Sequence, residues 1–154
     1  MEEDFDSNIG FLVHDVARLM RTMYDRRMAP LGLTRSQWWV LNHLYFHEGI
    51  SQSEFAALLD IEKATVGRLL DRLEAKGWVA RKADPQDKRT KRVYLTEQVQ
   101  PTLQIMRDLA AVTRDEAVRS LSAAERKQLR TMLKRMRDDL SDITAETTTG
   151  ELVE

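Results

Sequence analysis

The 154-residue sequence predicts a mainly α-helical chain with a small β-hairpin. Three observations carry this. Apolar residues recur at three- and four-residue spacing through most of the chain. Ser/Thr-x-x-Glu/Gln boxes at Thr34–Gln37, Ser51–Glu54 and Ser122–Glu125 mark helix starts. Two short runs of mixed apolar and basic residues, 78–82 and 91–95, flank an Asp84-Pro85 turn. In chain order these elements make two short helices with a tight turn, then a two-stranded ribbon, flanked by long N- and C-terminal helices that would pair two copies of the chain.

Composition bounds the function. A hydrophobic fraction of 42% fits one domain with a real core rather than a disordered chain. Net charge is −1, so only the distribution of charge can point to a partner. From Arg81 to Arg92 there are six Lys/Arg against two Asp/Glu. With no cysteine, disulfides, thiolate catalysis and thiolate zinc sites are excluded. No apolar run reaches membrane-spanning length, and the acidic start lacks the cationic front of a signal peptide, so a cytoplasmic protein without a membrane partner is expected.

The elements follow in order. Ile9, Leu12, Val13, Val16, Leu19, Met20 and Met23 form one stripe of a helix over 8–28, which Pro30 and Gly32 end. After Thr34, a helix of about a dozen residues carries apolar groups nearly all round, so it should lie at the centre and be buried on several sides. Ser51 opens a short helix with Phe55, Leu58 and Leu59 inward. Asp60-Ile61-Glu62 makes the turn. A helix over 62–76 buries Val66, Leu69, Leu70 and Leu73, and Gly77 stops it. The hairpin follows, with Asp87, Lys88 and Arg89 in its loop. Thr96 caps a long helix over 97–120, where Pro101 falls near the first turn. Ser122 opens a last helix that buries Leu129, Met132, Leu133, Met136, Leu140 and Ile143. Residues 1–33 and 97–145 are thus expected to pair two copies of the chain, 34–96 to form the DNA-binding lobe, and 146–154 to be a flexible tail.

A basic second helix beside a basic hairpin suits double-stranded DNA. Lys63 and Thr65 lie at the front of the outward face and Arg68 and Arg72 one turn apart behind them, where side chains meet bases and phosphates. Ala64 and Gly67 are small enough for close approach. Ser51, Ser53 and Thr34 stand at helix starts, whose amides favour phosphate oxygens, and Ser36 and Gln52 beside them join the expected DNA contacts. Arg89, flanked by Lys88 and Lys91, could enter a narrow minor groove. The alternative is that the same charges form only a solvated face and a protected sheet edge.

The run EFAALLDIEKATVGRLLDRLEAKGWVARKADPQDKRTKRVYLT resembles the winged helix-turn-helix of the MarR family of bacterial transcriptional regulators. The likeness includes Asp87-Lys-Arg89, the DP turn before it and V-Y-L-T after it. TRSQWWVLNHL and the terminal helical regions stand in the matching order. The resemblance implies a homodimer on a palindromic operator, with 62–76 in the major groove and Arg89 in the minor groove. It also implies a repressor that a small molecule releases. Glu62 departs from the usual Ser or Asp cap, and the lack of cysteine argues against a peroxide-sensing member.

The resemblance further implies an effector site between the pairing helices and the DNA-binding lobe. The matching segments offer Tyr24, Trp38, Trp39, Met20 and Met23 as apolar walls, and His14, Arg18, Arg21 and His43 as groups to meet an anion. Such a pocket suits an aromatic carboxylate or an aromatic acyl-coenzyme A thioester. His43 and His47 are one turn apart, but zinc needs further ligands that no spacing identifies, so no metal and no cofactor are assigned. A zinc-responsive regulator of the same fold and a protein-interaction module without specific DNA binding are the alternatives. No phosphate loop or nucleophile motif points to an enzyme or to catalytic residues.

Overall fold

The computed structural model describes residues 7–150, with side chains through residue 145. The chain divides into two compact units, one up to Thr113 and one from Arg114 on. In the first, α1 spans Ile9–Met28, with Asn8 accepting from the amides of Gly10 and Phe11. A 3-10 turn at Ala29–Leu31 ends on Gly32, in the left-handed region at φ 69°. Then come α2 (Arg35–Phe46), α3 (Gln52–Leu59), α4 (Lys63–Ala75), strands β1 (Val79–Ala83) and β2 (Lys91–Leu95), and α5 (Gln100–Ala117). The second unit holds the end of α5 and α6 (Ala123–Gly150).

Local chemistry sets these boundaries. Both the Thr34–Gln37 and Ser51–Glu54 boxes form with reciprocal bonds, as their spacing predicts. Ser122 and Glu125 exchange the same pair of bonds at the start of α6. Asp60 ends α3 in the left-handed region at φ 51°, where glycine is the easier residue. Thr96 departs from expectation. Its hydroxyl does not cap the following helix but donates to the Gly77 carbonyl at 2.6 Å, tying the end of β2 to the end of α4.

The core of the first unit is built from α2 (Val40, Leu41, Leu44), α3 (Phe55) and α4 (Val66, Leu70, Leu73). The hairpin adds Val93 and α5 adds Leu103, all fully buried. Each such side chain contributes about 1.5–3 kcal/mol by leaving water. The strands pair antiparallel in the register Val79 with Leu95 and Ala83 with Lys91. The loop before α3 lies along β2 as a short third strand, with the Gly49 amide donating to the Val93 carbonyl at 2.8 Å and the Val93 amide to the Ile50 carbonyl at 2.9 Å.

Three burial expectations are corrected. Helix α2 is central but not enclosed, because Trp39 and Phe46 are exposed, Phe46 at 70%. Leu58 of α3 is exposed. The α6 face from Leu129 to Ile143 is open to solvent, with Met136 half-buried, and so are Ile9, Leu12, Val13, Val16 and Leu19 of α1. The period that sequence reads as burial places apolar groups on one face of each helix, and the chain itself does not cover those faces. Helix α6 runs on to Gly150, and residues 151–154 of the expected tail lie outside the described residues.

Candidate nucleic-acid interface

Helix α4 presents its polar face because Val66, Leu70 and Leu73 hold the other against the core. Lys63, Ala64, Arg68 and Arg72 are exposed on it. Thr65 is half-buried and accepts a bond from Arg68 Nη2 at 3.1 Å, which turns the guanidinium toward the front of the helix. Glu62 occupies the N-cap without a side-chain bond, so the first-turn amides lack the partner that a Ser or Asp would supply. Gly67 also faces α3. A Cβ there would stand 3.2 Å from Gln52 Nε2, so the missing side chain makes room for the α3 residue packed across it.

At the helix starts, the Ser51 hydroxyl is occupied by the Glu54 amide and the residue is buried, which makes Ser51 a cap rather than an open phosphate contact. Gln52 is half-buried beside α4. Ser36 is half-buried, with its hydroxyl 3.2 Å from that of Thr34.

The wing separates its cations into two kinds. Lys88, Arg89 and Lys91 are exposed and have no ion pair among the described residues. Arg81 and Arg92 turn back into the lobe. Arg81 donates through Nε to Glu74 at 3.0 Å and through Nη2 to Asp71 at 2.6 Å, fastening β1 to α4. That guanidinium holds the Glu74 carboxyl below its usual range. Arg92 pairs through Nε with Asp84 Oδ2 and donates through Nη1 to the Gly49 carbonyl at 2.9 Å. Asp84 itself is buried. Its Oδ1 accepts from the Gln86 amide at 2.7 Å and the Asp87 amide at 3.3 Å. The Gln86 amide, then Arg92 and then the Asp87 amide lower its pKa. Asp87 accepts from the Arg89 amide at 3.0 Å and the Thr90 hydroxyl at 2.9 Å, so the Asp87-Lys-Arg89 tip is internally braced. A charge count could not find the inward arginines. The available signal was an Asp at the end of one strand and an Arg eight residues on, across a hairpin.

The proposed effector residues fall into two groups. Rings of Tyr24 and Trp38 (5.5 Å), Trp38 and Trp39 (5.8 Å), and Trp39 and His43 (4.4 Å) form a continuous chain between α1 and α2. Trp38 is core, and its Nε1 donates to Asp25 Oδ1 at 2.9 Å. Asp25 also pairs with Arg35, which lowers its pKa, and half-buried Arg21 adds a smaller pull. His14 and Arg18 lie about 15 and 9 Å farther along α1 from Tyr24, at 1.5 Å per residue. Both are exposed, and Arg18 pairs with Asp15 at 3.0 Å. Burial, then neighbouring His47, lowers the pKa of His43. Among the described residues no three His, Asp or Glu gather into a metal-binding group.

A helix pair whose second member opens a cationic face, beside a braced basic hairpin, defines the winged helix-turn-helix class. Residues 31–90 match the family model described as the MarR family. A crystal structure of MarR aligns over 95% of this chain and 99% of its own, at 26% identity and a TM-score of 0.81. A MarR transcriptional regulator from Methanosarcina mazei Go1 aligns over 88% and 97%, at 27% identity and a TM-score of 0.80. A mutant MarR from E. coli, complexed with operator DNA, aligns over 83% and 92%, at 29% identity and a TM-score of 0.72. The chain is thus similar to the MarR family of winged helix-turn-helix transcriptional regulators, by family model over residues 31–90 and by fold over most of its length. No helix among the described residues is long and apolar enough to cross a membrane.

Proposed function

We propose that the chain is a homodimeric repressor that binds a palindromic DNA operator and leaves it when an aromatic carboxylate or aromatic acyl-coenzyme A thioester binds. The observation that carries the DNA-binding part is the pairing of two unneutralised cationic surfaces, Lys63/Arg68/Arg72 on α4 and Lys88/Arg89/Lys91 on the wing. The likeness to a MarR in complex with operator DNA supports the same reading. In this reading α4 enters the major groove and Arg89 the minor groove. Regulation rather than catalysis is the family's activity, and action on DNA puts the protein in the cytoplasm.

Dimerisation is supported by the exposed apolar stripes of α1 and α6, since contiguous exposed apolar faces mark interaction surfaces. The effector reading rests on the ring chain ending at exposed Trp39 and half-buried His43, with the charge of Arg21 acting on Asp25 beside Trp38.

The test begins with a duplex enriched by the protein from a random-sequence pool. A two-fold symmetric consensus, steep salt dependence and a dimeric sedimentation coefficient are expected. Enrichment of no sequence at low salt would favour a protein-interaction module instead. A thermal-shift screen of aromatic acids and acyl-coenzyme A thioesters then identifies the effector class, and a genuine hit releases the enriched duplex.

A further inference from the structure

We infer that Arg92 is a positioning residue for DNA recognition: it does not touch DNA but holds the wing tip, and with it Arg89, at a set place relative to the lobe. This rests on the DNA-binding reading above. An unbroken line of polar contacts runs from the body of the lobe to the tip. The Gly49 carbonyl accepts from Arg92 Nη1. Arg92 Nε engages Asp84 Oδ2, while Asp84 Oδ1 holds the amides of Gln86 and Asp87. The Asp87 carboxylate then holds the Arg89 amide and the Thr90 hydroxyl. Each link fixes the backbone of the next segment, and the last fixes the residue whose side chain is free.

Placement favours this role over a phosphate contact. Asp84 is only 8% exposed, so the partner of Arg92 is not a surface ion that DNA would displace. Arg92 sits on β2 bridged to Ser51, one pair from the base of the tip loop, where residues 49–51 lie along the strand. Lys91 and Lys82, its neighbour in sequence and its partner in register, are both exposed and carry the outward charge at this level. A planar guanidinium can engage a carboxylate and a carbonyl at once in fixed directions, which an ammonium cannot.

The test is a double-mutant cycle between Arg92→Ala and Arg89→Ala, read by anisotropy on the duplex enriched by the wild-type protein. Arg89→Ala alone should weaken binding about tenfold, the order expected for one ordered contact. Arg92→Ala should cause a comparable loss, and that loss should nearly vanish in the Arg89→Ala background. Arg92→Lys should recover part of it. In the free protein, amide exchange at Gln86, Asp87 and Arg89 should quicken in Arg92→Ala, while amides of α4 keep their protection. Additive losses, with a further fall in salt slope when Arg92 is removed from the Arg89→Ala protein, would make Arg92 a phosphate contact and overturn the inference. Unchanged exchange at the three tip amides overturns it without reference to DNA. If the wild-type protein enriches no duplex, the DNA-binding reading itself fails, and the positioning role falls with it.

Discussion

Helix α4 and the wing both offer cations to solvent, but by different means. Along α4 the helical period suffices. Val66, Leu70 and Leu73 are buried, and Lys63, Arg68 and Arg72 stand on the opposite side without carboxylate support. Of the hairpin's apolar side chains only Val79 and Val93 are buried, too little to hold a loop of this length by packing. Its shape comes from Asp84, Asp87, Glu74 and two inward arginines. The same residue type therefore means different things in the two places. An arginine on α4 is a surface group by period, while an arginine on the wing is a brace or a probe according to which carboxylate lies within reach.

The comparison can be broken most severely at α4. Leu70→Ala should cost about 2–5 kcal/mol in urea unfolding, as for other fully buried leucines, and a loss below about 1 kcal/mol would show that the helix is held otherwise. Next come the two probes. Arg68→Ala should flatten base preference in the enriched operator, with about a tenfold loss on the best sequence, whereas Arg89→Ala should weaken tight and loose sequences alike and reduce the salt slope by about one. Equal behaviour of the two variants would erase the distinction between a reading helix and an anchoring wing.

Acid should then separate the two regions. The Asp84 pKa is lowered from 3.8 and that of Glu74 from 4.5. Groups with lowered folded values stabilise above their ordinary values, and that contribution fades as pH falls through the folded ones. Below about pH 4 the amides of Gln86 and Asp87 should exchange faster before those of α4 do. Simultaneous loss of protection would contradict a wing held by carboxylates. The smallest effect is expected at the turn. Asp60→Gly relieves a left-handed residue but frees the unfolded chain, for a net gain of at most about 1 kcal/mol in thermal unfolding.

What was legible in the sequence was what depends on near neighbours. The Thr34, Ser51 and Ser122 boxes span four residues each, and all form. The α4 polar face follows from period alone. Roles set by register or by the path of the chain were not legible. Thr96 looks like a cap until the end of α4 brings the Gly77 carbonyl within its reach. Gly67 reads only as a small outward residue until Gln52 is seen beside it. Arg81 and Arg92 count as surface charge until the fold sets them beside carboxylates, of α4 for Arg81 and of the tip loop for Arg92. Trp38 and Trp39 are adjacent and chemically alike, yet one is core and the other 41% exposed, because successive helical positions differ by about 100°.

That last contrast gives the protein an optical reporter of its own. Trp38 is shielded and hydrogen-bonded to Asp25, Trp78 is half-buried under Lys76, and Trp39 stands open beside His43. A collisional quencher added to the solution will meet Trp39 most readily. Whatever covers that side of α2, a second copy of the chain or a small aromatic molecule, will change the quenching of a single indole, with no label attached.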